Sequence, residues 1–149
     1  MTRIRRLGAG DVDLMEAANR LFGEVFAEEG YHGPPPGRDH LIRLLADEKF
    51  IALTAWIDDR MVGALAGYEL VKFEAERSEI YIYDLAVREE YRRCGVATAL
   101  IESLKPIALG RGAWVIFVQA DPPDTPAVAL YEKLGTREEV LHFDIEVDG

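Results

Sequence analysis

Apolar residues early in the chain recur at helical spacing. After a short strand-like start, Thr2 to Leu7, the positions Met15, Ala18, Leu21, Phe22, Val25 and Phe26 mark one face of a helix, with Asp11 placed as its N-cap and Glu28-Glu29-Gly30 as its stop. The prolines at 34, 35 and 36 remove amide donors and fix the backbone, so Tyr31 to Arg38 reads as a surface loop. A second short helix over about Asp39 to Asp47 turns Leu41, Leu44 and Leu45 inward. Phe50 to Ile57 then reads as a buried strand, Asp58-Asp59-Arg60 as a turn, and Met61 to Val71 as the returning strand, where Gly63 and Gly67 limit side-chain packing. Ile80 to Val87, rich in β-branched and aromatic residues and free of glycine and proline, is the strongest strand signal and belongs inside a sheet.

Helical spacing returns at Ala97, Leu100, Ile101, Leu104, Ile107 and Ala108, and Pro106 inside that run predicts a kink or an early end. Trp114 to Gln119 is a further apolar strand, followed by the turn Asp121-Pro122-Pro123-Asp124. Thr125 as N-cap with Pro126 behind it, and Gly135 after Leu134, frame another short helix. Finally Leu141, Phe143, Ile145 and Val147 alternate with His142, Asp144 and Glu146, which predicts a last strand over Val140 to Val147. Mixed strands with interspersed helices predict an α/β or α+β sheet fold.

With 149 residues and 49% hydrophobic content the chain suits one domain, residues 1–149. Its 27 acidic residues outnumber 17 basic ones, for a formal charge of −10, which argues against a nucleic-acid binder. That charge fits a cationic partner, and it fits solubility equally well. No eighteen-residue apolar run and no apolar leader after Met1 are present, so the expectation is a soluble cytoplasmic protein without membrane association. The lone Cys94 excludes an intrachain disulfide and is given no chemistry. His32, His40 and His142 lack metal-ligand spacing, so no metal site is expected.

The chemistry gathers after the Ile80–Val87 strand. There Arg92-Arg93-Cys94-Gly95-Val96-Ala97-Thr98 opens a helix, and small residues let a backbone approach a ligand while the first helical amides lack intrahelical acceptors. Strand, glycine loop and helix in that order suit a phosphate site. Arg88, Arg92 and Arg93 would supply local cations in an otherwise acidic protein.

Arg92-Arg93-Cys94-Gly95-Val96-Ala97 resembles the glutamine/arginine-x-x-glycine-x-glycine/alanine signature of the GNAT superfamily of acetyl-CoA-dependent N-acetyltransferases. The blocks Ser78–Val87, Val118–Asp121, Pro126–Tyr131 and His142–Ile145 closely resemble the aminoglycoside 3-N-acetyltransferases of the gentamicin-modifying type. The resemblance implies a GNAT-like fold, a central mixed, mostly antiparallel sheet flanked by about four helices. It also implies acetyl-CoA as cosubstrate, an aminoglycoside as cationic acceptor, and a homodimer.

The residue roles it implies follow from acetyl transfer to a neutral amine. Arg92, Arg93, Cys94, Gly95, Val96, Ala97 and Thr98 would hold the pyrophosphate, with the side chain of either arginine adding charge-assisted contacts. Leu85, Ala86 and Val87 would offer backbone to the pantetheine arm, and a strand N–H near Leu85 would polarise the thioester carbonyl. Asp84, which two-residue periodicity puts on the face of Ile80 and Ile82, is the first candidate for general base, with Glu79 as the alternative. An aspartate there could equally cap nearby amides. Tyr131 would protonate the departing thiolate, although Val128, Tyr131 and Leu134 also form an ordinary helical stripe. For the acceptor, Glu79, Tyr83, Asp84, Asp121 and Asp144 are the candidates, Asp144 foremost, with Asp124, Glu146 and Glu28 or Glu29 behind them. Another amine, such as a polyamine or a peptide, or a non-catalytic acyl-CoA sensor, remains open on the same fold.

Overall fold

A computed structural model describes residues 1–27 and 34–148. The expectations for Glu28, Glu29, Gly30, Tyr31, His32 and Gly33 therefore lie outside the described residues. The chain divides into two compact units, Met1–Gln119 and Ala120–Gly149.

The first unit is a five-stranded sheet in the order β1-β2-β3-β4-β5, built from β1 Arg3–Arg6, β2 Phe50–Ile57, β3 Arg60–Val71, β4 Ser78–Val87 and β5 Ala113–Val118. All neighbours are antiparallel except β4 and β5, which run parallel. The parallel step is made by α3, Val96–Gly110, whose length spans the crossover that parallel strands require. Helices α1, Val12–Val25, and α2, Arg38–Ala46, precede β2 in the chain. With α4, Thr125–Leu134, in the second unit, this is the mixed, mostly antiparallel sheet with four helices that the sequence implied.

Strand alternation divides the core between the two sheet faces. Phe50, Ala52, Ala64 and Ala86 pack with Met15, Ala18, Leu21 and Phe22 of α1 and with Leu41 and Leu45 of α2. Ile51, Leu53, Val62, Leu65, Ile80 and Ile82 are buried, as are Val96, Leu100, Ile101 and Leu104 of α3. Each such large aliphatic side chain stabilises by about 1.5–3 kcal/mol on full burial. The apolar periodicity read along the sequence is thus the set of residues that holds β4, the strand carrying the candidate chemistry, inside the sheet.

Three local features depart from expectation. Asp11 is the N-cap of α1 by position, but its carboxylate accepts from the Gly8 amide at 2.7 Å and pairs with Arg5 at 2.7 Å instead of capping the first turn. Helix α3 runs through Pro106 to Gly110 and does not end early there. The cap of α4 is Asp124, whose side chain accepts from the Ala127 amide at 3.3 Å, so Thr125 is already helical.

The second unit corrects the largest expectation. Beyond Leu134 the chain forms no strand, and Val140 to Val147 is irregular with Leu141, Phe143, Ile145 and Val147 exposed. Alternation makes a segment fit for a sheet, but a strand exists only when a neighbour completes its hydrogen bonds, and this unit contains no other strand. Arg137 bridges Glu132 and Glu139 at 2.7 Å each, and His142 Nε2 lies 2.9 Å from Asp144.

Candidate active site

The strands β4 and β5 part company halfway along. Their pairing runs from Ser78 opposite Ala113 to Ile82 opposite Val118, whereas β4 continues to Val87 paired to β3 alone. Along Tyr83 to Val87, alternate amides and carbonyls therefore point away from β3 with no strand beside them among the described residues. Leu85, Ala86 and Val87, the expected partners of a pantetheine arm, lie on that open edge.

At the end of β4 the chain turns through a 3-10 turn, Glu89–Tyr91, into α3. Arg93 (φ 64°) and Gly95 (φ 79°) both take left-handed backbone, which folds the loop back so that the helix begins at Val96. Among the described residues no side chain caps α3, so its first amides have neither an intrahelical nor a side-chain acceptor there. Arg92, Arg93, Cys94 and Gly95 are exposed around them, while Val96 is buried and Ala97 and Thr98 partly so. This donor-rich helix start with a glycine at its cap and two arginines beside it has the chemistry to take a pyrophosphate. Arg88 is not available for that task. Its guanidinium pairs with Glu24 at 2.5 Å and donates through Nε to the Met61 carbonyl at 3.0 Å.

Asp84 does not share a face with Ile80 and Ile82. The register of β3 with β4 slips between Ala66 and Gly67, so that Ala66 opposes Asp84 and Gly67 opposes Ile82, leaving Tyr83 as an extra residue. A bulge of this kind reverses the in–out alternation beyond it. Asp84 consequently falls on the face of Ala66, Ala64 and Ala86, with Tyr68 and Tyr81, and away from the α3 core. Gly67 permits the bulge by close approach: a Cβ there would lie 2.8 Å from the Tyr81 carbonyl oxygen.

Asp84 is half-buried, and among the described residues no hydrogen bond or ion pair reaches its carboxylate. Burial pushes its carboxyl up to about 6. A carboxyl near neutrality, in an open site and not committed to a structural partner, is the profile of a general base. The Tyr68 and Tyr81 hydroxyls are both held above the usual tyrosine range, first by burial, then by Tyr83 and by the Asp84 charge. Glu79 shares this face but is committed, with Arg77 bound to it at 2.6 Å and its carboxyl held below the usual range by that hydrogen bond. Tyr83 is exposed beside Asp84.

In the second unit Tyr131 is half-buried on α4, and burial followed by the Asp124 charge raises its hydroxyl. A raised phenol stays protonated and can donate. Asp121 is exposed and Asp124 serves as the helix cap. Asp144 and Glu146 are exposed in the irregular tail, Asp144 beside His142. Among the described residues, no group of three or more His, Cys, Asp or Glu side chains could hold a metal ion, and no helix is long and apolar enough to cross a membrane.

Sequence reasoning missed Tyr68 and Tyr81 near Asp84, and Phe117 and Gln119 against Tyr81. The available signal was Gly67, since an isolated glycine inside a strand marks a bulge or a close backbone approach.

Residues 13–136 match the model of the acetyltransferase (GNAT) family. An aminoglycoside acetyltransferase from an uncultured soil metagenomic sample is 55% identical and superposes with a TM-score of 0.94 over 99% of both chains. A second aminoglycoside acetyltransferase of soil-metagenomic origin, solved in complex with sisomicin, is 31% identical with a TM-score of 0.91, over 98% of this chain and 96% of that one. An N-alpha-acetyltransferase of Saccharolobus solfataricus is 41% identical over 59 residues, 39% of this chain and only 35% of the length of that curated relative.

Proposed function

This chain belongs to the acetyltransferase (GNAT) family, and on that premise we propose that it transfers the acetyl group of acetyl-CoA to an aminoglycoside, at the 3-amino group of a deoxystreptamine ring. The acceptor class is carried by the likeness, across nearly the whole length of both chains, to a soil aminoglycoside acetyltransferase. The position acetylated rests on the four sequence blocks named above. The catalytic domain spans residues 1–149, a reading supported by the family match over residues 13–136. The working form is a cytoplasmic homodimer.

When bound, acetyl-CoA supplies an acetyl thioester. The amides opening α3, from Arg93 to Thr98, and the side chain of Arg92 or Arg93 hold the pyrophosphate. The open β4 edge at Leu85, Ala86 and Val87 would pair with the amide-bearing arm, and an N–H near Leu85 would polarise the thioester carbonyl. Asp84 takes the proton from the acceptor ammonium, directly or through one water, so that a neutral amine attacks. Tyr131 donates the proton that neutralises the departing sulfur, and the second proton shed by the acetylated nitrogen restores the Tyr131 hydroxyl through solvent. Tyr83, Asp121 and Asp144 meet the remaining charge of the acceptor, and Glu79 joins them only on release from Arg77.

The test is release of coenzyme A thiol from acetyl-CoA by the purified chain, with sisomicin, gentamicin, spermidine and a short peptide as separate acceptors. Turnover is expected with the two aminoglycosides, and the acetyl group in the product is expected on the 3-amino nitrogen by NMR. Turnover with the peptide or spermidine but neither aminoglycoside would overturn the acceptor, and acetylation at another nitrogen would overturn the position.

A further inference from the structure

The β4 bulge does more than turn one carboxylate. It places consecutive side chains, Tyr83 and Asp84, on the face that already carries Tyr68 and Tyr81. A continuous line of ring contacts then crosses four strands. Phe50 and Tyr68 lie 5.5 Å apart, Tyr68 and Tyr83 meet edge-on at 6.0 Å, Tyr83 and Tyr81 edge-on at 5.8 Å, and Tyr81 stacks on Phe117 at 4.7 Å within 4° of parallel. The band is anchored on either side of its middle. Phe50 is buried in the core, and the Tyr81 hydroxyl donates to Gln119 Oε1 at 2.9 Å. The middle is open, with Tyr83 61% and Tyr68 37% exposed.

The electrostatics of the patch have one sign. Ring faces carry negative quadrupole density, and the adjoining Asp84 carboxylate has no cation paired to it among the described residues. The nearest basic side chains along the same strand are already taken, Arg77 by Glu74 and Glu79 and Arg88 by Glu24. An exposed aromatic surface of this kind, anchored through Phe50 and Tyr81 and beside a free carboxylate, suits a ligand that is cationic and also presents flat C–H surface.

We propose that the rings of Tyr68 and Tyr83 form an aromatic platform that receives an ammonium-bearing ring of the acceptor and delivers its amine to Asp84. This rests on the reading of the chain as an acetyltransferase of cationic amines and deepens it: the two tyrosines select a rigid ring amine over a flexible polyamine, whose chain offers charge without a face to stack. Tyr81 and Phe117 are positioning residues beneath the platform.

The test is calorimetric titration of sisomicin into the whole chain and into Tyr83→Leu, Tyr68→Leu, Tyr83→Phe and Tyr68→Phe, with thiol release measured in parallel. The leucine variants are expected to bind sisomicin about five- to thirtyfold more weakly, the range of a desolvated cation–π contact, while the phenylalanine variants stay within about threefold. The Michaelis constant for acetyl-CoA is expected to be unchanged throughout. Leucine variants that bind like the wild type, or phenylalanine variants as weak as leucine, would overturn the platform, as would a wild type that does not bind sisomicin. A wild type that binds sisomicin without acetylating it would sink the proposed reaction instead, and the ratios of dissociation constants would still judge the platform. If Tyr68→Leu fails to fold, the more exposed Tyr83 decides.

Discussion

Asp84→Asn is expected to lower kcat/KM for the amine acceptor by about two to four orders of magnitude while the Michaelis constant for acetyl-CoA stays within about twofold. The substitution preserves shape and removes only the ability to accept a proton. Because no hydrogen bond or ion pair within the described residues depends on the Asp84 carboxylate, the loss is not a loss of structure. Wild-type activity in the variant would remove Asp84 from the proton-transfer step.

The pH dependence supplies a second, independent reading of the same residue. With its carboxyl pushed up to about 6 by burial, wild-type kcat/KM is expected to rise as pH increases through about 6 and then level, and the variant is expected to lose that limb. In the acceptor complex an adjacent ammonium favours the carboxylate, so the corresponding limb of kcat falls at lower pH. Stability moves the other way. A folded value above the ordinary aspartate value means the folded state binds the proton more tightly. Folding therefore gains from Asp84 below about 4 and loses that gain as pH rises through about 6. Asp84→Asn is expected to be more thermostable than the wild type at pH 7.5 and to lose that advantage towards pH 4. The carboxylate is then a residue kept at some cost in stability, as a functional group would be.

How much of this was legible in the sequence depends on whether the feature is local. The glycine loop and the start of α3 occupy consecutive residues, so Gly95 and the helical spacing from Ala97 onward announced them together. The same holds for β4, whose apolar run is continuous. On the acceptor side Tyr83 and Asp84 were legible as candidates, but their grouping with Tyr68 and Phe117 was not, because these residues come from three strands and meet only through register. Asp84 shows the limit most directly. Two-residue parity holds only for an unbroken strand, and one extra residue at Tyr83 put Asp84 on the opposite face from the one expected. The tail failed for the opposite reason, since Val140 to Val147 carries the pattern of a strand without the neighbour that would make it one.

The largest effect expected on the cosubstrate side comes from Gly95→Ala. Gly95 sits at φ 79°, where an L-residue costs about 1–2 kcal/mol. A Cβ built there meets nothing within 4 Å of the protein. The methyl therefore projects into open space at the N-terminus of α3, and on the proposed function that is where the pyrophosphate approaches the helix amides. Weakening one or two charge-assisted contacts predicts a Michaelis constant for acetyl-CoA raised about ten- to a hundredfold. Backbone strain alone would produce a smaller and less specific change, and Gly112 separates the two. It lies just beyond α3 at φ 72°, likewise with nothing within 4 Å of a Cβ, but at the helix end remote from the loop. Gly112→Ala should thus lower the melting temperature about as much as Gly95→Ala while leaving the acetyl-CoA constant unchanged. Equal acetyl-CoA constants in the two variants would mean that the loop does not hold the phosphates. A rise confined to Gly95→Ala would assign them to the helix start.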